Sequence, residues 1–96
     1  MTARPHRIVL MRFETEEAAR RVRQVHESFS AIPGVHCASA ASPADVHDEA
    51  APYTHLSLFE FASADSRAAY DRHPLHVSSR EAVRGRATNV LVVDFD

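Results

Sequence analysis

Tyr70, His73 and His76 stand three residues apart within Tyr70-Asp71-Arg72-His73-Pro74-Leu75-His76. On a continuous helix that spacing puts side chains on one side. Pro74 bends the helix there and keeps the three close. Imidazole titrates nearest neutral pH, and the chain carries seven histidines in 96 residues. A neutral histidine beside a phenol suits proton transfer next to a carbonyl. His76 would take the proton, and Tyr70 would hydrogen-bond the developing oxyanion. These two are the expected catalytic residues. Two more histidines, His6 and His55, lie in strand-like segments. If both face the helices, they converge on the same cavity. The expected substrate-binding wall is then His6, Ile8, Leu10, His55, Ser57 and His73.

Each of these residues also has a plainer reading. A histidine directly before proline commonly serves the turn, and for His73 that reading is the favoured one. His76 can equally lock the helix junction, and Tyr70 can be a buried tyrosine with one hydroxyl partner. His6 and His55 read more readily as partly buried, satisfied histidines than as catalysts. His26, His36 and His47 read as surface or loop residues. Arg12 pairs with an acidic substrate or, more simply, with a neighbouring carboxylate. The two imidazoles of His73 and His76 with His6 or His55 have the makings of a zinc triad, but no cysteine cluster or matched carboxylate accompanies them. No metal and no cofactor are expected. The chain has no lysine, which excludes Schiff-base chemistry. Cys37, the single cysteine, reads as a small packed residue.

Composition narrows the class further. A net charge of −2 gives no electrostatic footprint for nucleic acid or a membrane surface. No apolar run is long enough to span a bilayer. Met1-Thr2-Ala3-Arg4-Pro5 lacks a signal-peptide apolar region, so the expected location is cytoplasmic. The 96 residues make one domain, 1–96. A domain of that size buries a modest share of its surface alone, and a core shared with a second subunit is a natural remedy.

The elements that must position these residues follow from periodicity. His6 to Phe13 reads as a strand with His6, Ile8, Leu10 and Arg12 on one face and Arg7, Val9, Met11 and Phe13 on the other. Both faces carry apolar residues. Thr15 can cap a helix from Glu16 to about Phe29, whose apolar stripe is Ala18, Val22, Val25 and Phe29. Ile32-Pro33-Gly34 ends it. Val35 to Ala41 reads as a short strand and Ser42 to Pro52, with Asp45, Asp48 and Glu49, as an exposed loop. Tyr53 to Phe61 is the clearest strand, with Tyr53, His55, Ser57, Phe59 and Phe61 on one face. Ser63 or Asp65 caps the next helix, which Pro74 interrupts or restarts. Leu75 to Val83 continues helical, and Asn89 to Phe95 closes as a strand.

Strand, helix, strand, strand, helix, strand is the order of a ferredoxin-like split β-α-β fold. The expected class is α+β, with helices on one face of a four-stranded antiparallel sheet. His6, Ile8, Leu10, His55 and Phe59 are expected under the helices. Val9, Met11, Leu56 and Leu58 are expected on the uncovered face. An apolar face of that kind marks an interface. Pairing two such faces closes a barrel between subunits, so the expected partner is a second copy of the chain.

Four pieces of the sequence together resemble one family: His6-Arg7-Ile8-Val9-Leu10 with Phe13; Ile32-Pro33-Gly34-Val35; Tyr53-Thr54-His55 with Phe61; and Tyr70-x-x-His73-Pro74-x-His76 with Val93-Asp94-Phe95. The resemblance is to the stress-responsive dimeric α+β barrel family. It implies a ferredoxin-like fold, a homodimer and a dimeric α+β barrel at the subunit contact. One branch of that family, the olivetolic acid cyclase-like polyketide cyclases, is similar in the same motifs. It implies an intramolecular aldol-type condensation of a polyketide-like carbonyl substrate, without metal or cofactor. The residues it implies are His6, His55 and His73 about the substrate and Tyr70 with His76 as the catalytic pair. Arg21, Val22, Val25 and His26 stand where that branch has aromatic residues, which implies a shorter or more polar substrate. The family equally includes stress-response proteins, for which a non-catalytic, small-molecule-binding barrel is the alternative.

Overall fold

The computed structural model describes residues 4–41, 43, 45–48 and 50–96. Met1 to Ala3, Ser42, Ala44 and Glu49 lie outside the described residues, with the readings above that touch them. The elements are β1 (His6–Phe13), α1 (Glu16–Ser28), a 3₁₀ turn (Phe29–Ala31), β2 (Val35–Ala41), β3 (His55–Phe61), α2 (Ala64–Arg72), α3 (Pro74–Arg84) and β4 (Ala87–Phe95). The sheet order is β2-β3-β1-β4, and every neighbouring pair is antiparallel. This is the ferredoxin-like α+β fold expected from the element order.

Local chemistry sets the boundaries. The Thr15 side chain accepts from the Ala18 amide at 3.1 Å and starts α1, with Glu16 and Glu17 at the positive end of the helix. Gly34 turns the chain from the 3₁₀ segment into β2 with φ of 77°, a conformation glycine adopts without penalty. Ser63 caps α2 by accepting from the Ser66 amide. His73 is extended, as a residue before proline prefers. It ends α2 and begins α3, and its Nδ1 accepts from the Leu75 amide at 3.2 Å. Pro74 sits in the first turn of α3, where its missing N–H costs nothing. The third strand begins at His55, later than expected, and the fourth at Ala87, earlier.

The register decides which face the helices cover. Val9 pairs with Ser57, Arg7 with Phe59 and Met11 with His55. Directly opposed residues share a face. Val9, Met11, Ser57, Phe59 and Phe61 are all buried, and with Val22, Phe29, Ile32, Val35 and Tyr70 they form the core under the helices. Burial of each phenylalanine there contributes roughly 1.5–3 kcal/mol. His6, Ile8 and Leu10 pair with Glu60, Leu58 and Leu56 on the opposite face. The expected phase of β1 is therefore corrected: His6, Ile8 and Leu10 lie on the uncovered face, and Val9 and Met11 lie in the core. Leu56 and Leu58 are on the uncovered face as expected. The physical reason is that β1 is apolar on both faces. Alternation alone could not say which face meets the helices, and the tight packing of Phe59 and Phe61 on β3 settles it.

Candidate active site

A cavity of about 440 Å³ opens between α3, the end of α1 and the β1–β4 half of the sheet. Its polar lining includes Arg7, His26, Tyr70, Asp71, His76 and Arg80. Such a volume is ordinary for a small-molecule site. The Tyr70 and His76 rings stack with centroids 4.3 Å apart and planes 27° from parallel. They come together because α2 delivers Tyr70 from its last turn, and the His73-Pro74 restart brings His76 back over it from the first turn of α3.

The surroundings fix the protonation states. Tyr70 is buried against Phe29, Phe59 and Phe61. Burial pushes its phenol well above the usual range, and the guanidinium of Arg7 only partly opposes this, so the hydroxyl keeps its proton. Among the described residues no side chain hydrogen-bonds that hydroxyl. Burial lowers the His76 pKa, opposed by a hydrogen bond to the Asp71 backbone and reinforced by Arg80. His76 Nδ1 lies 3.4 Å from the Asp71 carbonyl. A carbonyl can only accept, so Nδ1 is the protonated nitrogen of the neutral ring, and Nε2 keeps the lone pair. A phenol donor thus lies beside an imidazole with a basic nitrogen.

Arg7 and His26 are among the cavity residues that were not anticipated. Arg7 donates from Nε to Asp94 at 2.7 Å and from Nη1 to Asp71 at 2.6 Å, and its guanidinium carbon sits 5.7 Å from the Tyr70 ring centre. Burial disfavours its charge, but the hydrogen bonds to Asp94 and Asp71 outweigh that and raise its pKa. Asp94 is correspondingly held below the usual carboxylate range by the hydrogen bond from Arg7. His26, read from the sequence as a surface residue, is buried. Its Nδ1 and the Ser57 hydroxyl share a 2.7 Å hydrogen bond, and burial with His76 nearby pushes its pKa down to about 4. A signal existed for both. His26 stands four residues after Val22 and three before Phe29, inside the buried stripe of α1. Arg7 alternates with Val9 and Met11.

The expected binding wall is dispersed. Ser57 reaches the site indirectly, as the partner of His26. His55 is on the covered face but farther along it, in a separate crevice beside Met11, Phe13 and Ala19. There its Nδ1 hydrogen-bonds Thr54 at 2.9 Å, and its buried Nε2 has no partner among the described residues. Burial lowers its pKa. His73 is occupied in capping α3 and is not part of the cavity wall. His6 is on the far face of the sheet, 3.5 Å from the Glu60 carboxylate, with Ile8 and Leu10 beside it on that face. Arg12 donates to the Ala51 carbonyl. Among the described residues no three His, Cys, Asp or Glu side chains assemble as a metal site, and no helix is long and apolar enough to cross a membrane.

Solved structures share this architecture. A dimeric ferredoxin-like protein of unknown function from Jannaschia sp. CCS1 is 19% identical, with TM-score 0.79 over 98% of this chain and 99% of that one. A hydroxynitrile lyase from Passiflora edulis is 13% identical, with TM-score 0.80 over 95% and 90%. A Dabb family protein from Mesorhizobium loti is 19% identical, with TM-score 0.72 over 99% and 97%. At these identities the likeness is one of fold. No curated protein matches the chain. The sequence itself is more specific, for residues 6–96 match the profile of the Stress responsive A/B Barrel Domain. That span runs from the first strand to the end of the chain and holds Arg7, Tyr70, His76 and Asp94 together, and the chain belongs to that family.

Proposed function

We propose that the protein is a cofactor-independent lyase of the cyclase type, promoting an intramolecular aldol-type condensation of a polyketide-like carbonyl compound. The observation that carries this reading is the stacked Tyr70–His76 pair in the wall of the cavity; on this reading the phenol is the donor and Nε2 of His76, with Nδ1 turned to the Asp71 carbonyl, is the base. His76 removes a proton from the carbon between two carbonyls. The electron pair moves onto the nearer carbonyl oxygen, and the resulting enolate oxygen accepts a hydrogen bond from Tyr70. The enolate carbon then bonds to a distant ketone carbon of the same chain. The new alkoxide takes back the proton that His76 holds. Atoms and electrons balance with no oxidant or reductant. A fold shared with a hydroxynitrile lyase makes lyase chemistry on this scaffold unsurprising.

The test is deuterium exchange and cyclisation across a panel of linear β-polyketones with wild type, Tyr70→Phe and His76→Ala. Both variants are expected to lose about 100-fold or more in rate while staying folded, the usual size of a general acid–base contribution. Wild-type protein that neither exchanges nor cyclises any member overturns the catalytic reading. A second reading has one observation in its favour: the Tyr70 ring is embedded among Phe29, Phe59 and Phe61 like a core residue. On that reading the protein is a small-molecule-binding stress protein, and Tyr70→Phe leaves ligand affinity and stability nearly unchanged.

The quaternary proposal is a homodimer joined through the uncovered sheet face, with the dimeric description of several proteins of this fold in support.

A further inference from the structure

The inward face of α3 is unusual in composition. His76, Ser79, Arg80, Val83 and Arg84 recur at three- and four-residue steps, and all line the cavity. A helix on a sheet normally turns apolar residues inward at those positions. Here the stripe is mostly polar, α3 has no fully buried residue, and Leu75 and Val77 are left exposed at 48% and 49%. The three arginines at the cavity also differ in their pairing. Arg7 is matched by Asp71 and Asp94. Arg80 makes only a long contact, 3.5 Å, to the Asp71 carbonyl. Among the described residues neither Arg80 nor Arg84 pairs with a carboxylate. Two guanidinium groups on successive turns of one helix therefore line the cavity without a carboxylate partner among the described residues.

We infer that Arg80 and Arg84 form an anion subsite at the mouth of the cavity, and that the substrate is an oxo acid whose anionic end is remote from the carbon that loses its proton. This rests on the reading of Tyr70 and His76 as the acid–base pair, which sets the other end of the substrate. Helix rise sets the backbone of Arg80 about 6 Å and that of Arg84 about 12 Å beyond His76 along α3, and His76 Nδ1 and Arg80 Nη2 lie 3.4 and 3.5 Å from the same Asp71 carbonyl oxygen; an anionic end roughly five carbon–carbon bonds from the acidic carbon suits the nearer step. Guanidinium recognises the paired oxygens of a carboxylate or of a phosphate by the same two-pronged hydrogen bonding. The shared chemistry is a terminal oxyanion. A simple β-keto acid, with its carboxylate next to the acidic carbon, fits this spacing poorly.

The experiment uses a linear β-diketone with three methylenes between the nearer ketone and a carboxylate, its methyl ester, and the matching phosphonate. Each is titrated into wild type and the Arg80→Gln/Arg84→Gln variant by NMR, with a thermal melt to check folding. Both positions are exposed on the helix, and Arg84→Gln alone serves as the milder second variant. Wild type is expected to bind at least one anionic ligand tenfold or more tightly than the ester. The double variant should lose that preference while its affinity for the ester stays the same. The tighter of the two anions identifies the headgroup. Equal binding of ester and both anions to wild type overturns the subsite, as does an anion preference that survives in the double variant. Deuterium exchange into the neutral ester reads the Tyr70–His76 pair separately. Exchange without anion preference leaves that pair standing and removes the subsite, whereas an arginine-dependent preference without exchange does the reverse.

Discussion

The ring of His26 lies between Phe29 and Phe59, at 5.9 and 5.3 Å between centroids, with Nδ1 committed to Ser57. A second proton there would be a buried charge without a counterion, and His76 nearby adds repulsion. The folded-state pKa of about 4 lies below the unfolded value of 6.5. Above pH 6.5 both states are neutral and the contribution is fully present. Between pH 6.5 and 4 the unfolded chain takes up a proton that the folded one refuses. Stability then falls by about 1.4 kcal/mol per pH unit, on the order of 3 kcal/mol in all. Denaturant titrations from pH 7 to 4.5 should therefore show wild type losing stability more steeply than His26→Gln by about that slope. Parallel curves for the two proteins would show that His26 titrates normally. The lowered pKa of His76 has the same sign for catalysis, so the rate should hold as pH falls through 6.5 and decline only below it. The Tyr70–His76 contact was legible in the sequence, since the three-residue spacing and Pro74 leave few ways to separate them. Arg7 and His26 carried only a weaker signal, a polar residue at a position whose period is that of the core. Residue type argued for solvent, and the fold places both in the cavity wall instead.

Among the elements, the junction of α2 and α3 positions the pair, and His73 holds that junction through its cap to Leu75. His73→Ala should cost about 1 kcal/mol, the usual worth of an N-cap, and His73→Ser should recover most of it. If the histidine instead binds substrate, His73→Ser keeps the stability and loses the rate, so denaturation and turnover measured together separate the two roles. A second junction is as demanding. A Cβ on Gly34 would lie 2.6 Å from the Ser66 hydroxyl oxygen and 2.9 Å from its Cβ, and φ is left-handed. Gly34→Ala should cost about 2 kcal/mol or more from backbone strain and the displaced Ser66. Adding Ser66→Gly should return the packing part alone, as a double-mutant cycle would record. Element order, caps and the Pro74 restart could be read from sequence because each depends on local chemistry. The phase of β1 could not. Ile8 and Leu10 argue for burial as well as Val9 and Met11 do, and the choice is made by residues on β3 some fifty positions away.

At the scale of the whole molecule, the same phase places an apolar layer on the side away from the helices. Across β3, β1 and β4 it runs Leu58, Ile8, Val93 in one row and Leu56, Leu10, Leu91 in the next. Leu91 and Phe95 remain 41% and 52% exposed in the single subunit. A patch of this kind on one small domain calls for a cover, and a second copy offers the same rows in return. On the homodimer proposal, Leu58→Arg should convert the protein to a monomer by light scattering and remove the concentration dependence of its melting temperature, which the wild type should show. A wild type that scatters as a monomer at micromolar concentration, with a melting point independent of concentration, would sink the proposal. The cavity lies on the other side of the sheet. A Leu58→Arg monomer that stays folded should therefore still bind the ligands of the cavity, which separates the role of the uncovered face from that of the site.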